Sequence, residues 1–218
     1  VPDPVKRPIA DRRETRIRET ERRILAAAHE LFVADGWAGT TLRDVAAAAD
    51  VAERTVYVRF GTKGALLNRV IGAAIAGDAD PIPVRDRPWY RTALTAPTLE
   101  GRIDAYAAGA SALMSRAAPV IAVALSAMGD DSAIADSARA GHAGTREDVK
   151  RLWQRAHNDG LFPDHVDVTW FIETVSVILQ ADVYLLGVEV QSWTPRKYEN
   201  WLRTTIRRLL ALNELVDA

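Results

Sequence analysis

The chain has 218 residues, 48% of them apolar, and no cysteine; this is enough to bury a core, and it argues against a disordered chain, a disulfide-stapled secreted domain, a cysteine nucleophile or a thiolate metal site, so a cytoplasmic protein is expected. The net charge of −1 hides an asymmetry: up to Gly77 there are 13 Lys and Arg against 10 acids, and beyond it 15 against 19, the sign expected if the first third meets a polyanion. The opening "VPDPVKRPIADRRETR" is charged where a signal peptide is apolar, and no run reads as a membrane span, so no membrane partner is expected.

Residues 1–19 read as a basic, partly disordered arm. From Thr20 the residues Ile24, Leu25, Ala28, Leu31 and Phe32 recur at helical spacing until "ADGW", where Gly36 supplies a left-handed stop. Thr41 and Asp44 have the spacing of a capping box that opens a short helix through Ala49, whose run of alanines lets a neighbour approach closely. After a turn at Asp50, Val51, Val56 and Phe60 can face inward while Arg54, Thr55 and Arg59 point elsewhere. Thr62 then caps a helix carrying Leu66, Leu67, Val70 and Ile71.

The stretch from Asp78 to Pro97 holds four prolines and no convincing period, which marks it as a candidate linker that Trp89 and Tyr90 could pin to a surface. Helices are expected near 98–116, 119–128, 132–159, 166–190 and 195–213, with Pro119, Gly129, "NDGLFPD" and "QSWTP" as breaks. The expected fold is therefore all-α: a three-helix helix-turn-helix domain over 20–66 and a larger helical bundle over 67–218.

A short helix, a four-residue turn and a second short helix form the unit whose second helix enters the DNA major groove. Arg54 suits a forked contact to guanine, Thr55 and Tyr57 have hydroxyls for phosphate oxygens, Arg59 suits either, and Lys63 adds charge near a helix N-terminus. Arg43 on the first short helix joins these candidate DNA contacts. Glu53 would repel phosphate but can accept from the cytosine amino group. Singly, such charges more often just solvate a face.

Taken together, "RILAAAHELFVADGWAGTTLRDVAAAADVAERTVYVRFGTKGALL" resembles the first four helices of the TetR family of bacterial transcriptional repressors, through Phe32, Gly36, Thr41, "DVAAAA", Val51 and above all the spacing of Thr55, Tyr57, Phe60, Lys63 and Leu66. The resemblance implies phosphate contacts from Thr41, Thr55, Tyr57 and Lys63, and residues 52–55 with Arg59 facing the groove. Two positions depart from it. Asp50 stands where the family usually has glycine, and Ala52 where it often has a capping Ser or Thr. Asp tolerates the left-handed region, so the turn can survive; Asp50 and Glu53 also have capping-box spacing, which leaves Glu53 either a base reader or a helix cap.

The last two expected helices resemble those that form a four-helix dimer interface in many family members. Tyr198, Trp201, Leu202, Ile206 and Leu209 make one apolar stripe, and the helix before it, with Trp170, Ile178 and Leu185, is apolar around its circumference, as a helix covered by both core and partner would be. Between them lie alanine-rich helices with a few bulky side chains. The resemblance implies a small-molecule effector pocket there, for which Tyr106, Met114, Met128, Trp153, Phe171 and Asp182 are candidates, the scarcity of Lys and Arg arguing against a highly anionic ligand. "PDHVD" gathers Asp164, His165 and Asp167, but aspartates before a helix are commonly caps, and neither a metal site, a cofactor nor an enzyme is expected.

The function expected is that of a homodimeric repressor that binds a palindromic double-stranded operator and is released by an unidentified effector, with the helix from Thr62 to Ala76 transmitting the change. A helical ligand-binding or interaction module that does not act through specific DNA binding is the alternative.

Overall fold

A computed structural model describes residues 9–78 and 82–211, in which helices occur without any strand. Helix α1 spans Ile9–Gly39. It begins well before Thr20, so the expected arm is helical from Ile9 onward, and residues 1–8 lie outside the described residues. Its first half has no apolar stripe and is laced by exposed pairs, Arg18 with Glu14 at 2.8 Å and Arg22 with Glu19 at 2.7 Å, each worth about 0.2–0.5 kcal/mol. At Gly36 the backbone leaves helical geometry with φ +69°. The following Trp37 ring stacks on Phe32, 6.3 Å between centroids.

Helix α2 (Leu42–Ala48) opens on the expected cap: the Thr41 hydroxyl accepts from the Asp44 amide at 3.1 Å and donates to its carboxylate at 2.5 Å. Asp50 then carries the turn at φ +51°. Helix α3 (Glu53–Phe60) starts from Ala52 with no side-chain cap, so Asp50 and Glu53 form no capping box. Helix α4 (Lys63–Ala76) is capped by Thr62, which accepts from the Ala65 amide, and ends at Gly77 with φ +86°.

The proline-rich segment is not a structureless linker. Within it lie a short 3-10 turn (Val84–Asp86) and helix α5 (Pro88–Thr95), which starts with proline in its first turn, where no amide partner is lost. Tyr90 is buried and donates to the Asp148 carbonyl at 2.6 Å, and the buried Arg87 guanidinium grips Asp78 in a fork, 2.6 and 2.9 Å.

Helix α6 runs unbroken from Leu99 to Ala127, against the expected break at Pro119. An interior proline costs about 3 kcal/mol. It is offset by burial on both sides: Ala117 and Ala118 precede it and Val120, Val123 and Ala124 follow it, all inside. The carbonyl that Pro119 leaves unpaired belongs to Ser115, an exposed residue. Against the expectation that no run is a membrane span, α6 is long and apolar enough to cross one, yet 56% of its most apolar window is buried within the fold.

Helix α7 (Ser132–Asn158) is capped by Asp131. The single helix expected over 166–190 is two, α8 (Val168–Ile178) and α9 (Ala181–Leu185), set at a bend of 56° to each other, and α9 continues as a π turn to Val190. Gln180 is extended at the break, and its side chain donates to the Ser176 carbonyl at 2.9 Å, satisfying an acceptor that the ending helix frees. Helix α10 (Pro195–Ala211) closes the bundle.

Two hydrophobic cores result. The smaller joins Ile24, Phe32, Val45, Val56, Leu66 and Leu67 of α1–α4 to Val120, Val123 and Ile134 of α6 and α7. The larger holds α5, the first half of α6, α7, α8, α9 and α10 around Tyr106, Trp153, Phe171 and Tyr198. The boundary expected at 66/67 therefore does not bound a core, because the end of α6 completes the smaller one. Pro119 sits where one core gives way to the other.

Candidate nucleic-acid interface and internal cavity

Helices α2 and α3 expose a mixed face. Arg43, Glu53 and Arg54 are exposed, Tyr57 is 51% exposed, and Thr55 is half-buried. Neither Arg43 nor Arg54 has a hydrogen bond or ion pair among the described residues, so both guanidinium forks are available. Val58, 75% exposed beside Tyr57, was not among the sequence candidates. An apolar side chain open on a recognition helix suits a thymine methyl, and its only sequence signal was a β-branched residue outside the Val51, Val56, Phe60 set.

Other candidates are engaged within the fold. The Lys63 ammonium donates to the carbonyls of Trp37 at 2.7 Å and Thr40 at 3.1 Å and lies 4.0 Å from the Trp37 ring centre. It ties the end of α1 to the start of α4. Arg59 turns toward Glu21 of α1, at 3.9 Å, rather than away from the domain, and Glu21 also receives Arg69 at 2.9 Å. The Thr41 hydroxyl is occupied by its cap. Glu53 lies in the first turn of α3, where a negative charge is favoured by the helix dipole, but makes no cap bond. Arg23, which was not a candidate, braces the turn from α1, donating to the Asp50 carbonyl at 2.9 Å.

A cavity of about 410 Å³ lies between α4, α5, α6, α7 and the α8–α9 bend. Of the expected pocket residues, Tyr106 and Met114 line it. Trp153 and Phe171 are instead fully buried, edge-to-face at 5.3 Å, and belong to the larger core. Met128 caps the end of α6 away from the cavity. Asp182 stands outside the lining and faces His142, a lining residue, at 3.7 Å. The sequence could not indicate Leu179, Gln180 and Ala181, which enter the wall only because the chain breaks there. Burial raises the pKa of Tyr106, a lining residue, well above the usual phenol range, so its hydroxyl stays neutral.

The expected dimer residues divide. Tyr198, Leu202 and Ile206 are fully buried within this chain, so their stripe faces its own core and not a partner. Ile178, Leu185, Trp201 and Leu209 are half-buried, and Trp170 is 39% exposed. The apolar side chains left open nearby are Val177, Leu186 and Val190 on α8 and the π turn after α9. Among the described residues no three His, Asp or Glu side chains gather as a metal site. Asp167 caps α8 by accepting from the Thr169 and Trp170 amides, and His165 lies 3.2 Å from the Leu210 carbonyl.

Residues 24–70 match the model of bacterial regulatory proteins of the tetR family. No curated protein matches the chain by sequence. Among solved structures, the TetR family transcriptional regulator PfmR from Thermus thermophilus is similar at 18% identity and TM-score 0.60, covering 88% of this chain and 99% of that one. GusR of Salmonella enterica is similar at 18% identity and TM-score 0.65, covering 89% and 96%. A protein from Syntrophomonas wolfei assigned to the TetR family reaches TM-score 0.72 at 16% identity, covering 91% and 98%. At such identities the likeness carries the fold, and the match to the tetR family model covers the helix-turn-helix region, residues 24–70.

Proposed function

We propose that the protein is a repressor that binds a palindromic operator as a homodimer and is released from it by a small molecule held in the cavity. The observation that carries this reading is the double membership of α4. Its Leu66, Leu67 and Val70 are buried in the core of the helix-turn-helix domain, while Asn68, Ile71, Gly72 and Ile75 line the cavity. A ligand filling that space acts on a helix that cannot move without carrying the recognition helix. The Asn68 amide also donates to the Ser137 hydroxyl at 2.8 Å, which links α4 to α7 across the cavity wall. Coupling is reciprocal, so operator DNA weakens effector binding by the factor by which effector weakens operator binding.

The open Trp170, Val177, Leu186 and Val190 side chains are the face a second copy would cover, and a two-fold dimer reads half-sites about 34 Å apart. Operator selection with purified protein tests the reading. A two-fold symmetric site is expected, with affinity falling steeply as salt rises. Arg54→Ala should relax preference at one position per half-site at a cost of about 1–3 kcal/mol, whereas Arg43→Ala should weaken all sequences alike and lower the salt slope by about one. No preference over random DNA, or transcription from the selected site unaffected by the protein, would refute it.

A further inference from the structure

The cavity is electrostatically one-sided. Among its described lining residues there is no lysine or arginine, and Asp148 of α7 supplies a carboxylate. That carboxylate has no hydrogen bond or ion pair among the described residues. Its place is set all the same, because the Tyr90 hydroxyl holds the Asp148 carbonyl at 2.6 Å. Burial raises its pKa from the ordinary value; Arg85 and Arg151 pull the other way and Glu147 adds to the rise. Both arginines are solvent-exposed, neither lines the cavity and neither comes within ion-pair distance of Asp148. His142 faces the Asp182 carboxylate at 3.7 Å.

Next to this acid the wall is aromatic. Trp89 meets Tyr90 edge-on at 5.7 Å and Tyr106 at 6.3 Å between ring centres. Ring faces attract cations, and a half-buried carboxylate without a partner gains from one. Much of the rest is aliphatic, including Ile71, Ile75, Leu113 and Ile121, with the uncharged polar side chains of Asn68, Ser137, Thr145 and Gln180 among them. A volume of about 410 Å³ lies within the range of about 300–1,000 Å³ that holds drug-sized ligands.

We propose that the cavity takes a lipophilic monocation, its apolar body against Trp89, Tyr90 and Tyr106 and its positive centre against Asp148. This rests on the effector reading above and specifies the ligand class. A neutral molecule of the same shape fills the space but leaves Asp148 uncompensated. An anion meets a carboxylate with no lining lysine or arginine to offset it.

Calorimetric titration with 10-methylacridinium, acridone and 9-anthracenecarboxylate, three-ring probes that are positive, neutral and negative, tests the charge preference. The cation should bind about tenfold tighter than acridone, about 1.4 kcal/mol, and the anion weakest. Asp148→Asn should abolish that advantage without changing acridone affinity, and Asp136→Asn, an exposed aspartate on the same helix, should change neither. Equal or tighter binding of the neutral or anionic probe, retention of the preference in Asp148→Asn, or binding of none of the three would overturn the proposal. The wild-type charge series decides alone if the variant does not fold. Operator affinity measured with each probe separates the two readings: Asp148-dependent cation binding that leaves operator affinity unchanged refutes the effector role but not the site, while release by acridone as effective as by the cation refutes the charge preference but not the effector role.

Discussion

Two glycine-to-alanine changes should differ in their effect on stability. Gly109 lies in the interior of α6, and a Cβ there would stand 2.0 Å from Cε3 and 2.4 Å from Cδ2 of Trp89. Helix propensity alone favours alanine by about 1 kcal/mol. To reach ordinary contact the indole would have to withdraw by about 1.4 Å, and it is flanked by Tyr90 and Tyr106. Overpacking of this kind costs about 1–3 kcal/mol, so Gly109→Ala should be neutral to destabilising by up to about 2 kcal/mol. Gly72, interior to α4, is the control: a Cβ there meets nothing within 4 Å, and Gly72→Ala should gain up to about 1 kcal/mol. Urea midpoints at unchanged slope measure both, and their difference, about 1–3 kcal/mol, isolates the clash. If Gly109→Ala stabilised as much as Gly72→Ala, the seat of Trp89 on α6 would be wrong, and with it one aromatic wall of the cavity.

Lys63→Met should destabilise the fold by about 1–3 kcal/mol in urea, because the Trp37 and Thr40 carbonyls lose a charged donor; a side chain used only for phosphate would leave stability within about 0.5 kcal/mol. Asp159 has its pKa lowered first by the hydrogen bond from the buried Arg102 and then by that from Arg155. A depressed carboxyl stabilises above its unfolded value of about 3.9 and loses that contribution as pH falls through the folded value. Asp159→Asn should therefore lower stability at neutral pH and flatten the acid limb below about pH 4 in a pH series of thermal melts. An acid limb as steep as that of the unaltered protein would refute this assignment.

Much of the helix-turn-helix could be read along the chain because its determinants are local. A threonine three residues before an amide it can cap, as at Thr41 and Thr62, acts within one turn, and Gly36 and Gly77 take positive φ where the apolar period stops. The Asp50 turn was legible as a tolerated left-handed residue, but its relation to Glu53 was not. Only the fold shows that Arg23 of α1 holds the turn and that α3 begins uncapped.

Tertiary structure alone decided which contacts the distant residues make. Pro119 signals a break by its own chemistry, yet burial on both sides carries α6 through it, while the α8–α9 break carries no proline or glycine and follows from Leu179 and Ala181 turning inward. The apolar stripe of α10 was visible as a stripe, but periodicity does not say whether its partner is another chain or its own; Tyr198, Leu202 and Ile206 meet their own core. Lys63 and Arg59 looked like free cations because the carbonyls and carboxylate that hold them, Trp37, Thr40 and Glu21, lie more than twenty residues away in sequence. By itself the sequence determined the helical class, the caps and the DNA-binding unit, all set by neighbours within a turn or two. The cavity, its aromatic wall and its unpaired Asp148 were decided by the tertiary structure, because a cavity is the space five elements leave between them and no one of them encodes it.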